Sequence, residues 1–270
     1  MPSETGKDLQ EEASGFSPIN DDHAVQNVVF GLSFSDWVKP EDLGQLAQEY
    51  LSLQEELPAF QQVDTNEEFG VSLSYKRPDA SSIWVFRFSG NNIAVECTRY
   101  TRWDKISNKA LGYILAACRS IIARNKEVEF FQASFQVIDK FVTADDTYRL
   151  SGLLNKCPLI VPKAFDSGRS WHSHTGWFED KASDLKILNR LELSAGGEDF
   201  FDTNIGKISN RSFVKVDHLQ ETRIQTMNGT QVLEKLNDLF AMLHIGNKNT
   251  MTELLGKPMQ KKINLWSDDE

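Results

Sequence analysis

VEFFQASFQVIDKFV, residues 128–142, decides the fold class. Apolar and polar residues alternate along it with the period of two that places successive side chains on opposite faces of a strand. Phe131, Ala133, Phe135, Val137 and Phe141 share one face, which reads as the core face of a sheet. Asp139 has the same parity, so a carboxylate interrupts that face. A bulge or a sheet edge at this point would release it.

Further strands lie on either side of this one. VQNVVFGLSF (25–34) is a β-branched and aromatic run, FGVSLSY (69–75) alternates, and residues 83–88 put Trp84, Phe86 and Phe88 on one face. Gly90-Asn91-Asn92 is turn chemistry and leads into a strand over 93–98. Residues 185–193 and 212–224 read as later strands, with Gly196-Gly197 and Asn228-Gly229 as turns between elements. Three longer helices are expected. The first starts at Pro40, with Glu41 and Asp42 in its first turn, and stops before Pro58. The second is capped by Ser107 and runs to about residue 124. The third is capped by Thr230 and carries the stripe Val232, Leu236, Leu239, Phe240 and Leu243. Short helical segments are expected near 148–154 and 250–255, the latter broken by Pro258. Residues 158–184 are the least regular stretch.

This order specifies an α+β fold: a largely antiparallel sheet packed by two or three long helices. Residues 1–22 read as a disordered acidic tail, 23–258 as a single domain and 259–270 as a polar C-terminal tail. The halves 23–125 and 126–258 share a loose element order, which admits a pseudo-repeat, although no repeating motif accompanies it.

The chain has 270 residues, with 39 acids against 29 bases, for a net charge of −10. Sorting the charges by position changes their meaning. Residues 1–22 carry −5 and residues 268–270 carry −3, which leaves about −2 for everything between. A globally basic nucleic-acid binder is disfavoured, so nucleic acid remains a minor alternative to a protein partner. No apolar run reaches the 20 residues of a membrane span, and the acidic, polar start is unlike a signal peptide. With three widely spaced cysteines, Cys97, Cys118 and Cys157, the expectation is reduced thiols in a cytoplasmic protein.

Two segments concentrate functional chemistry. The first is Arg99-Tyr100-Thr101-Arg102-Trp103, where arginine and aromatics interleave. Such a run can stack bases, anchor a protein interface or close a sheet edge. The second is Trp171-His172-Ser173-His174, followed by Trp177. Two histidines at i and i+2 on a strand point the same way, and with His218 they could ligate a metal. Hydrogen-bonding or solvent-exposed histidines are the plainer reading. The candidate interaction residues are therefore Arg99, Tyr100, Arg102, Trp103, Trp171 and Trp177, and the candidate ligand or metal residues are His172, His174 and His218. Cys97 and Cys118 share parity with core residues, and Cys157 is the more accessible thiol. The sequence has no GxSxG, GxxxxGK[ST] or GxGxxG pattern, so no catalytic residue is assigned and no cofactor is expected. A non-enzymatic reading is favoured over an enzymatic one.

Several stretches carry a family resemblance: VVFGLSF near the start, a helix ending in LPAF, WVFRFSGNNIAVE, the run Tyr100–Trp103, FFQASFQVIDKF, SFVKVDHLQ and a closing helix with Leu239-Phe240. Over about residues 23–258 the chain resembles a sporadically distributed, uncharacterised family of bacterial proteins of unknown function. It departs from that pattern at Ser134–Asp139, where the family has an Arg-Tyr-Ile-Asn-like stretch. The resemblance supplies no catalytic residues. Its patchy distribution, like that of accessory genes on mobile elements, implies an accessory or neutralising component of a phage-defence or toxin–antitoxin-like system. The alternative is a nucleotide- or RNA-binding effector, or an enzyme, that uses the histidines of 158–180.

Overall fold

A computed structural model describes residues 15–20, 23–49, 51–65, 68–145, 147–182, 185–202 and 206–266. Strands β1 (Ser17–Pro18) and β2 (Val25–Phe34) lead to helices α1 (Pro40–Glu49) and α2 (Leu51–Glu56). An antiparallel meander follows: β3 (Ala59–Asp64), β4 (Phe69–Lys76), β5 (Ser82–Ser89) and β6 (Asn92–Cys97), closed by α3 (Trp103–Arg124). The second half begins with β7 (Glu129–Thr143) and crosses two short 3-10 turns. It continues through β8 (Trp171–Ala182), β9 (Leu185–Asp202) and β10 (Lys207–Asn228) into α4 (Gly229–Leu254) and α5 (Lys257–Lys262).

Among the described residues these strands form one antiparallel sheet in the order β3-β4-β5-β6-β2-β7-β10-β9-β8, with β1 added against β7. The sheet is the larger layer, and α1, α3 and α4 are its long helices. Reading outward from the β2–β7 pair, each half places its first strand innermost and its last strand next, followed by the earlier strands of its meander.

The alternation of the opening stretch is realised in β7. Ala133, Phe135, Val137, Asp139, Phe141 and Thr143 are buried, whereas Gln132, Ser134, Gln136, Ile138 and Lys140 are only partly covered. The first set faces the helices, with α4 packed on β7 and β10 and α3 on β6. Phe30 anchors this packing. Its ring lies 5.2 Å from Phe135, 5.2 Å from Phe240 of α4 and 5.9 Å from Trp103 of α3. The α4 stripe Val232, Leu236, Leu239, Phe240 and Leu243 is buried as its spacing requires. Arg124 ties α3 to the start of α1 by holding Asp42 at 2.6 Å and Asp36 at 2.7 Å. Burial alone would raise the Asp36 carboxyl. Hydrogen bonds from the Trp37 N–H, Asn125 and Arg124 outweigh that and hold it down to about 2.

Several expectations need correction. Phe130, not Phe131, is buried, because the β2 register skips between Ser33 and Phe34 opposite that pair and so switches the parity. Helix α3 starts at Trp103, and Ser107 lies inside it with its hydroxyl donating to the Asp104 carbonyl. Asn228, not Thr230, caps α4: its side chain accepts from the Gln231 N–H at 3.0 Å, and the Gln231 side chain accepts from the Asn228 N–H at 3.1 Å. Gly196-Gly197 lies within β9 and is not a turn. A Cβ at Gly196 would lie 3.1 Å from the Phe213 ring of the neighbouring strand. The supposedly irregular 158–184 contains β8.

The termini are more ordered than expected. Phe16 is buried and β1 pairs with β7, so 15–20 belong to the fold; residues 1–14, 21 and 22 lie outside the described residues. Pro58 is followed directly by β3, a strand the sequence reading did not contain. Pro258 opens α5 rather than ending order, and Met259, Ile263 and Leu265 pack on the core. The 259–270 tail is therefore folded through Trp266, and residues 267–270 lie outside the described residues. Among the described residues no helix is long and apolar enough to cross a membrane.

Candidate functional site

Three features bring functional side chains together: a belt of polar residues through the interior, a cavity at the belt's end and a ribbon that projects from the sheet.

The belt separates two apolar clusters. One lies under α3 and the first part of α4; the other gathers Phe16, Phe141, Leu193, Val216, Met251 and Met259. Asn189, His218, Gln220 and Asn247, all buried, lie between them. Asn247 donates to His218 Nδ1 at 3.1 Å, so the ring proton belongs on Nε2, which donates to Asn189 Oδ1 at 3.1 Å. The Gln220 amide donates to the same oxygen at 3.1 Å. Trp177 stacks on His218 with ring centroids 5.8 Å apart. Burial pushes the His218 imidazole down to about 4, against the pull of Glu179. It is neutral near pH 7. A Cβ at Gly246 would fall 2.6 Å from Gln220 Nε2, so glycine is what lets α4 approach β10 here.

The cavity, about 360 Å³, opens between the start of α3, the C-terminal half of α4, the residues before β2 and the segment 262–265. Trp103 and His244 stack face to face on one wall, with centroids 3.9 Å apart and planes 3° apart. Burial drives the His244 imidazole down to about 3, and Lys248 adds to the shift. Lys248 is buried, with its ammonium 4.7 Å from the Trp266 ring. On the β7 side of the cavity is Asp139, only 4% exposed. Its partner β2 bulges between Val25 and Asn27, opposite Asp139 and Ile138. The bulge is thus on the neighbouring strand and leaves Asp139 on the buried face.

The ribbon is the distal part of the β9–β10 hairpin. Pairing of β8 to β9 stops at Ala195 and pairing of β7 to β10 stops at Ser212. The two strands continue together as far as Asp202 and Lys207. At roughly 3.3 Å per residue, a two-stranded arm of about 20 Å projects from the sheet. Its base is fastened by Glu198, which pairs with Lys140 and lies 2.9 Å from Arg211. Further out, Phe201 and Ile208 face each other across the strands and are 63% and 73% exposed.

The residues singled out from sequence divide among these features. Tyr100, Arg102 and Trp103 line the cavity, whereas Arg99 is exposed outside it. Trp171 and Trp177 are half-buried and packed on the second cluster, so neither offers an open interaction surface. His172 and His174 lie side by side, ring centroids 5.7 Å apart, on the opposite face of the sheet from buried His218. The three histidines therefore do not converge. Among the described residues no group of three His, Cys, Asp or Glu side chains is placed to hold a metal. Burial raises the thiols of Cys97, to about 11, and of Cys118 and Cys157. The open face of the sheet carries both signs of charge in pairs, such as Arg190 with Glu221 at 2.8 Å and Lys215 with Asp217 at 3.8 Å. A basic track for a nucleic-acid backbone would need unbalanced cations.

The sequence reading missed His244, Lys248 and the ribbon. His244 and Lys248 sit one turn apart on α4, a polar pair on a face otherwise read as apolar. That spacing was the available signal. No protein-family model matches the chain, and comparison with curated proteins finds no match.

Proposed function

We propose that this chain is a non-enzymatic, cytoplasmic interaction protein that docks a protein partner through the β9–β10 ribbon. The supporting observation is the Phe201–Ile208 pair. Two large apolar side chains stand opposite each other on an arm that nothing in the chain covers among the described residues. Apolar pairs held at that exposure on a two-stranded element are suited to bury against another chain. Fastening of the base by Glu198, Lys140 and Arg211 limits the ordering cost of docking. The family resemblance makes the role an accessory or neutralising component of a phage-defence or toxin–antitoxin-like system. The palindromic strand order supports reading 23–125 and 126–258 as pseudo-repeated halves, with only the second carrying such an arm.

The test is affinity purification of the tagged full chain from its native host, beside a Phe201→Ser/Ile208→Ser variant. The reading expects a stoichiometric protein that the wild type retains and the variant loses. A wild-type chain that purifies alone, or a partner held equally by both, overturns it.

A further inference from the structure

The cavity contains a buried acid that no described residue answers. Asp139 is 4% exposed, lines the cavity, and makes no hydrogen bond or ion pair among the described residues. A buried carboxylate without a donor is expensive, so such groups mark places where a donor arrives from outside. The nearby cations do not supply one. The Lys262 ammonium donates to the Phe16 carbonyl and the Ser17 hydroxyl at 3.1 Å each, and the Lys248 ammonium sits over Trp266. The rim carries both signs of charge. Arg102 is exposed there as the N-cap of α3, with no side-chain cap hydrogen bond among the described residues, so first-turn N–H groups lie beside its guanidinium, with Asp104 of the same turn as the one rim carboxylate in the cavity lining.

We propose that this cavity is a binding site for a small zwitterion, in the size class of a free amino acid. Its protonated nitrogen is bound by Asp139, and its carboxylate lies at the rim against Arg102 and the start of α3. A volume of about 360 Å³ lies at the small end of ligand sites, and it accommodates a molecule of that size. The side chains of Trp103, His244 and Phe135 give it an aromatic wall. Because the site lies away from the ribbon, it stands independently of the docking reading.

The experiment is calorimetric titration of the full chain with L-arginine, with agmatine, which lacks the carboxylate, and with glutarate, which lacks the cation. The expected result is saturable one-to-one binding of L-arginine, weaker binding of agmatine and none of glutarate. Asp139→Asn should weaken L-arginine at least about tenfold, the effect of losing one charge-assisted hydrogen bond. Thr101→Trp, on the exposed rim, should block binding while leaving the melting temperature unchanged. Failure of both L-arginine and agmatine to bind, or arginine binding that Asp139→Asn leaves intact, overturns the site. Agmatine binding as tightly as L-arginine overturns the role of the rim.

Discussion

The two halves of the sheet bury different chemistry beneath the same strand order. On the helix side of the first half lie Leu73, Phe86, Phe88, Ile93, Val95, Phe30 and Leu32, with hardly a polar atom among them. The corresponding side of the second half interleaves Ser212, His218, Gln220, Thr222 and Asn189 with its apolar residues. Apolar contact is non-directional, so the first half holds its helix by area and shape. Hydrogen bonds are directional, so the second half also fixes how α4 is rotated and how far it slides: Asn247 meets His218 in one arrangement only. The cost is a set of buried groups that must stay neutral or find partners.

The largest expected effect is in the apolar core. Phe240→Ala removes a ring packed 5.2 Å from Phe30 and should cost about 3–5 kcal/mol in chemical denaturation. A loss below about 1 kcal/mol would mean that area is not what holds α4.

Next is Asp139, whose carboxyl burial raises to about 7. The folded chain then holds a proton that the unfolded chain releases from about pH 4 upward. Stability falls as pH rises between those values, and the whole penalty is present above pH 7. Asp139→Asn should therefore stabilise the protein at pH 8 by up to about 4 kcal/mol and do little at pH 4. A variant less stable than wild type at pH 8 would show that the carboxylate has a partner.

The buried histidines have the opposite sign. With folded values of about 4 for His218 and about 3 for His244, their contribution is complete above pH 6.5 and is lost as pH falls toward those values. His244→Phe, which can keep the stack on Trp103, should remove up to about 3 kcal/mol of the stability lost between pH 6.5 and pH 4. An unchanged slope below pH 6.5 in melts would place the acid sensitivity elsewhere.

A smaller loss, about 1–3 kcal/mol, is expected for Asn189→Ala, which leaves His218 and Gln220 without their shared acceptor. Measured beside Phe240→Ala, it gives the ratio of directional to non-directional support. Smallest of all, Phe201→Ser with Ile208→Ser should change stability by less than about 0.5 kcal/mol, because both side chains are already in water. The same double variant is the one expected to lose the partner.

The first half was largely legible because its signals agree. Strands β5 and β6 alternate, β2 is an unbroken β-branched and aromatic run, and the edges of β2 and β4 to β6 lie within a residue of the sequence pattern. The α4 stripe was legible for the same reason. The second half was harder because its polar belt breaks the alternation that the reading relies on. Asp139, His218 and Gln220 occupy buried positions with polar side chains, so parity alone cannot place them. In β8, Trp171 and Trp177 face the core with Ser173 and Thr175 between them, while Phe178 projects outward, and that mixture looks like a loop. Of the cavity, Tyr100, Arg102 and Trp103 could be picked out as unusual. Their convergence with Asp139, His244 and Lys248 depends on long-range packing that local pattern does not encode.

The pairing of β2 with β7 has a consequence for how the chain is made. Each is the first strand of its half, and each lies innermost in the finished sheet. On the ribosome, β2 therefore keeps one edge open until everything through α3 has been synthesised and β7 emerges. At typical elongation rates that interval is on the order of ten seconds. During it the nascent half presents an unpaired strand bearing Val28, Phe30 and Leu32, the sort of edge that recruits chaperones or strands of other chains. The centre of the folded sheet is thus its most exposed element during birth.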